Sequence, residues 1–272
     1  MTYNPFKFCF AMDALPELLK NYALFCKYRS DALATKQIDL SELEFIFPTT
    51  LLPLTDFVIS DRAFGIVPPE DEVVADYIAF MLDGKPIPGG PRMPLRELPK
   101  DRSQADALIG EIAASQNRNN VCCGESAFKY FLGELVDNIY EHSEFSRALV
   151  MAQRYDSLRF VEMCFFDNGL TIPGAQAKHG KKRTPIESLQ AAASGVSTKS
   201  VERGFGIGSS IRLATEGFNG KFLLVSGAAA LSVDSSGGRE FDLTGPLALD
   251  GTLVSIRIPF SSKDVNLYDY IG

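Results

Sequence analysis

The clearest pattern in the chain lies between residues 125 and 142. Phe128, Phe131, Leu132, Leu135 and Ile139 recur at intervals of three and four, which gives one apolar face on a helix. Two strand-like runs follow at 148–155 and 158–166. Helical patterns come next at 185–193 and 207–216, and then strand-like runs at 222–231, 239–243 and 253–259. Helices stand early and between strands, and the late strands are joined by turns. That order predicts an α+β sandwich with a mixed sheet rather than a doubly wound βα repeat.

The first half alternates more quickly. A short strand is expected at 6–11. Leu15, Leu18, Leu19, Tyr22, Ala23 and Cys26 give helical spacing over 15–28. Residues 38–47 alternate in part like a strand and stop at Pro48. Thr49 or Thr50 then stands where a cap for a helix through Leu51, Leu52, Leu54 and Phe57 is wanted. A short apolar run at 64–67 precedes another helix at 73–82. Together these predict a small α/β unit over 1–110. Its boundary is marked by the Pro- and Gly-rich stretch 84–94, which excludes regular helix or central strand, and by a polar helix at 101–116. A second unit is expected over 118–262, followed by a tail at 263–272.

Composition narrows the function classes. Of 272 residues, 46% are hydrophobic and 22% charged, the balance of a folded globular chain. The formal net charge of −7 argues against a general affinity for nucleic acid or anionic lipid. No run approaches the roughly 18 apolar residues of a membrane helix. The start of the chain lacks the plan of a signal peptide. Cys9, Cys26, Cys122, Cys123 and Cys164 are odd in number and irregularly spaced, so reduced thiols and a cytoplasmic location are expected. Only His142 and His179 are present, which excludes chemistry built on several histidines.

Four local features carry candidate chemistry, and each also has a plain structural explanation. Glu134 and Asn138 project one turn apart from the same side of the 125–142 helix, beside its apolar stripe. A solvated acidic face would look the same. Asp167-Asn168-Gly169 ends an apolar strand, which is turn chemistry or a carboxylate set at the mouth of a pocket to accept from an exocyclic amine. Gly204, Gly206 and Gly208 precede a helix, as phosphate cradles require. Their spacing is neither a Rossmann fingerprint nor a P-loop. Asp250-Gly251-Thr252 opens an alternating strand, as a hairpin would. His142 lies one turn past Asn138, where the helix dipole favours a cation.

Taken in order, these four features resemble the four boxes of the GHKL superfamily of ATPases and kinases, over roughly residues 120–260. The stretch from Glu134 to His142 looks like its N-box. The resemblance implies a Bergerat-type α/β sandwich that binds ATP with Mg²⁺. Asn138 would complete the magnesium coordination, and Glu134 would act as general base or orient the nucleophile. Asp167 would read adenine over a floor at Gly169, and Thr252 would support Asp167. Gly204, Gly206 and Gly208 would hold the phosphates and hinge a lid that runs from Gly169. The lid carries Lys178, Lys181, Lys182, Arg183, Lys199 and Arg203. Lys199 is the candidate for a γ-phosphate contact, with a solvated loop an equal explanation, and for Lys178, Lys181, Lys182 and Arg183 the solvated loop is the preferred reading.

Residues 38–52 followed by 73–81 look like a STAS-type domain, the class that contains substrates of anti-sigma-factor-type serine kinases. Thr49 would match the phosphorylated position, although the usual acid and glycine are missing and a helix cap explains it as well. The implied function is a regulatory ATPase or an anti-sigma-type serine/threonine protein kinase acting with a protein partner. The alternative is a nucleotide-gated interaction switch with little turnover. A homodimer stays open, and neither nucleic acid nor membrane is expected as a partner.

Overall fold

The computed structural model describes residues 15–60, 63–87, 90–195 and 206–270. The strand expected at 6–11 and Cys9 lie outside them. Eight helices and nine strands follow the order α1 (Glu17–Thr35), β1 (Gln37–Asp39), α2 (Pro48–Ser60), β2 (Gly65–Val67), α3 (Glu72–Asp83), β3 (Arg92–Glu97), α4 (Ala105–Gln116), α5 (Glu125–His142), β4 (Ala148–Tyr155), β5 (Phe160–Asp167), α6 (Ile172–Lys178), α7 (Pro185–Ala193), α8 (Ile207–Arg212), β6 (Lys221–Gly227), β7 (Ala229–Asp234), β8 (Gly237–Asp242) and β9 (Leu249–Pro259) among the described residues. The class is α+β. Among the described residues no helix is long and apolar enough to cross a membrane.

Seven strands form one sheet in the order β3-β4-β5-β9-β6-β7-β8, and every pairing in it is antiparallel. The parallel element expected of a mixed sheet is confined to a separate two-stranded sheet, β1 with β2. The run 222–231 is not one strand. Gly227 takes φ +60 and turns the chain into the β6–β7 hairpin. The run 38–47 is strand only to Asp39, whose carboxylate accepts from the backbone N–H of Ser41 at 3.0 Å and so starts a turn. β3 was hidden by the prolines around it. It is an edge strand with a bulge between Met93 and Arg96, and Pro94 is tolerated there.

Both faces of the large sheet are covered. On one face Val161, Met163, Phe165, Phe222, Leu224, Val254, Ile256 and Ile258 share a core with α4, α5, α7 and α8. On the other, Leu149, Met151, Cys164, Phe166, Leu223, Val225 and Leu253 share a core with α1, α2 and α3. Residues expected to form a separate N-terminal unit therefore supply both an edge strand and a covering layer. Cys26, Cys122, Cys123 and Cys164 are free and buried.

The N-terminal layer is fixed to the sheet by a buried polar cluster. Glu162 on β5 is fully buried and accepts from Arg257 Nη2 on β9 at 2.6 Å and from its Nε at 3.1 Å. The same carboxylate accepts from the Thr49 hydroxyl at 2.6 Å and its backbone N–H at 3.2 Å, so it caps α2 from across the interface. Neither threonine caps the helix itself, since the Thr50 hydroxyl donates to the Asn21 carbonyl. Arg257 also pairs with Glu17 and lies 4.7 and 4.2 Å from the ring centres of Phe47 and Phe160.

Candidate functional site

Strand alternation decides which residues can meet. Asp167, Thr252 and Ser226 lie side by side across β5, β9 and β6, with Asp167 opposite Thr252 and Thr252 opposite Ser226. They face the α5 side, whereas Phe166 and Leu253 face the N-terminal layer. A cleft of about 990 Å³, including its open mouth, lies above this row. Its walls are Leu135, Asn138, Ile139 and His142 from α5, Leu170, Ile172, Ala175 and Gln176 in and before α6, Ala192 at the end of α7, and Gly206-Ile207 at the start of α8. Asn138, Asp167, Gly206 and Thr252 thus come together from four separate stretches of the chain. Lys199 and Gly204 lie outside the described residues.

The Asp-Asn-Gly stretch divides its work. Asp167 is 3% exposed and lines the cleft. Asn168 turns away, where its Oδ1 accepts from the backbone N–H groups of Ser146 at 3.1 Å and Arg147 at 2.7 Å, tying down the loop after α5. Gly169 is not in the cleft wall. A Cβ there would stand 2.0 Å from the Ser143 carbonyl oxygen, so its glycine is required by the loop, not by a ligand. Gly251 is required twice over. Its φ is +123, and a Cβ would fall 2.0 Å from the Asp167 carbonyl oxygen. Only glycine brings β9 close enough at this level to set Thr252 beside Asp167. Gly208 is explained by packing, because its Cβ would meet the Ala193 carbonyl at 2.4 Å, while Gly206 faces open space in the cleft.

Burial pushes the Asp167 carboxyl up to about 7, against the opposing pull of the Gly169 N–H (3.0 Å) and the Ser143 hydroxyl. Burial also raises Glu134, helped by the neighbouring charges of Asp137 and Glu141 and opposed by a hydrogen bond from Tyr130. Glu134 lies one turn before Asn138 but outside the cleft wall. Asn138 Nδ2 donates to the Glu134 carbonyl at 2.6 Å. That leaves Oδ1 as the atom able to meet a hard cation, so the amide fits the single protein oxygen that a phosphate-bound Mg²⁺ needs. Among the described residues no group of three or more His, Cys, Asp or Glu side chains is arranged to hold a metal by itself.

Several site residues were not foreseen. Ser143, Gln176 and Ser226 are each buried around the cleft. Gln176 donates from Nε2 to the Ser188 carbonyl at 3.0 Å and accepts from Arg183 at 3.1 Å, locking α6 to α7. α6 itself had a legible start, since Thr171 caps it by accepting from the Gly174 N–H, with Pro173 in the first turn. Ser226 is signalled by a polar break after the apolar run Phe222–Val225. Thr252, expected to support Asp167 through its hydroxyl or a bridging water, has Ser226 as its hydroxyl partner at 2.8 Å.

The chain was compared with known protein families, with characterised proteins and with solved structures, and none of them matched it.

Proposed function

We propose that this is a GHKL-type protein that binds Mg-ATP in the α5–β5–β9 cleft and moves its γ-phosphoryl group, to water or to a serine or threonine of a regulatory protein partner. What carries the proposal is the meeting of Asn138, Asp167, Gly206 and Thr252 around one largely apolar cleft, from stretches separated by up to 114 positions (138 to 252). The base would lie between apolar walls, with Asp167 accepting from its amine. Asn138 Oδ1 would hold Mg²⁺, which neutralises phosphate charge when bound. Glu134, its proton affinity raised, would orient or deprotonate the attacking group.

Incubating the protein with γ-labelled Mg-ATP tests this directly. Released phosphate identifies an ATPase, and label on protein identifies a kinase. Replacing Glu134 with alanine is expected to cut turnover about 100-fold or more while ATP still binds. Unchanged turnover would remove Glu134 from the chemistry. Asn138→Ala is expected to remove the Mg²⁺ dependence of ATP binding, and titrations with and without the ion that stay as far apart as in wild type would sink its role.

A second reading, the nucleotide-gated switch with little turnover, is favoured by one observation. The described residues of the cleft wall include no lysine or arginine, and Glu134 stands back from it with Tyr130 as partner. Equal, negligible turnover in wild type and Glu134→Ala, with ATP bound by both, selects this reading. In either case Thr49 is fully buried and bonded to Glu162, so the folded chain does not offer it to a kinase.

A further inference from the structure

The floor of the cleft holds a hydroxyl pair whose direction can be worked out. Ser226 is fully buried. Its Oγ accepts from the backbone N–H of Ile172, the first residue of α6, at 2.8 Å, and lies 2.8 Å from Thr252 Oγ1. A serine hydroxyl has one proton and two acceptor positions. Ile172 takes one acceptor position, and the proton must still find a partner, because leaving a buried donor without an acceptor is costly. Among the described residues Thr252 Oγ1 is that partner. Ser226 therefore donates to Thr252, and Thr252, which lines the cleft, keeps its own proton for a ligand. The chain runs from the Ile172 N–H through Ser226 to Thr252, each member polarising the next. Beside its end, directly opposite in register, stands the Asp167 carboxyl.

We infer that Ser226 is a positioning residue that fixes the Thr252 hydroxyl as a hydrogen-bond donor and ties that donor to the start of α6. The cleft floor then offers one donor next to one acceptor. Its complement is a ring nitrogen that accepts beside an exocyclic amine that donates, the N1 and N6 edge of adenine. The inference rests on the adenine-nucleotide reading of the cleft and adds to it the group that sets the polarity of Thr252 and links base reading to α6.

The test compares binding of ATP, of the 1-deaza analogue that lacks the ring acceptor, and of the purine analogue that lacks the amine. The full chain should bind each analogue about tenfold more weakly than ATP, the loss expected for one hydrogen bond of about 1.4 kcal/mol. In Ser226→Ala the penalty for removing the ring acceptor should shrink several-fold, while the penalty for removing the amine stays. Ser226→Thr, which keeps a hydroxyl, should restore the first penalty. Hydrogen exchange at the Ile172 amide should speed up in Ser226→Ala and slow again in Ser226→Thr. If Ser226→Ala does not fold, Ser226→Cys, with a weak donor, carries the same comparison. Equal weakening of all three ligands means a merely structural serine and overturns the inference, as does an unchanged ring-acceptor penalty. Failure of the wild type to bind any of the three overturns the nucleotide reading and this role together.

Discussion

Replacing Asp167 with asparagine is expected to make the protein more stable at pH 8 and less able to prefer adenine. The carboxyl is held at about 7 by burial, against 3.8 in an open chain. Between those values the folded state keeps a proton that the unfolded chain has released. Stability is therefore full below pH 4, falls as pH rises, and levels off above 7. The cost at pH 8 is on the order of 4 kcal/mol, at about 1.4 kcal/mol for each pH unit between the two values. Asparagine has no charge to bury, and its Oδ1 can still accept from the Gly169 N–H. The variant should thus gain over wild type as pH is raised from 5 to 8, read as diverging midpoints in urea. Midpoints that stay parallel across that range would show that the carboxyl is not held neutral. The same change replaces one acceptor oxygen with a donor, so ATP should lose its advantage over GTP. Stability given up for a buried acid makes sense only if the acid has work to do in the cleft.

Local structure was legible wherever one residue's neighbours settled its state. α5 follows from five apolar residues at helical spacing, and α7 from Thr184 and Pro185 at its start. β4 has the bounds its run predicts. What misled was the partition of the chain. The sequence pattern predicts a separate unit over 1–110, yet the runs over 148–155 and 158–166 do not alternate polar and apolar. A strand solvated on one side would. All eight residues of β4 are buried, and that signature asks for layers on both faces. Helices α1, α2 and α3, with the short strands between them, supply the layer on one face. Those strands are only three residues long and could not support a separate core.

The candidate site was readable in part for a similar reason. Asp167, Thr252 and Asn138 carry side chains whose chemistry is plain, and the cleft brings the three together. Gly169, Gly208 and Gly251 were legible as glycines but not as to cause. In each case the near contact is the protein's own backbone carbonyl, which no local pattern reveals. Ser226 shows along the chain only as a polar break after an apolar run, and its meaning comes from the two strands and the helix that meet there. Glu162 and Arg257 were likewise hidden. In sequence they are isolated charges in strands, and the rule that such residues point to solvent fails when a second layer covers them.

That charge pair should be among the most sensitive points in the fold. Arg257→Met is expected to destabilise the protein by about 3–5 kcal/mol, because it leaves the Glu162 carboxylate buried with its main counter-charge removed. Thr49 would still donate two hydrogen bonds to that carboxylate, but these do not replace the two charged N–H groups that Arg257 donates to its Oε2. The loss should appear as a lower urea midpoint. A companion change, Glu162→Gln in the same chain, removes the stranded charge and should recover much of the loss. The coupling between the two substitutions then measures the pair itself. Single and double variants equally unstable would mean that stacking of the Arg257 guanidinium on Phe47 and Phe160 matters more than its pairing with Glu162. A single variant within about 1 kcal/mol of wild type would put the pair in water. Because Glu162 and Asp167 share β5 but face opposite sides, Arg257→Met tests a second point. If the N-terminal layer only covers the sheet, ATP affinity should survive under conditions where the variant is folded. If that layer reports on the cleft through β5, affinity should fall with it.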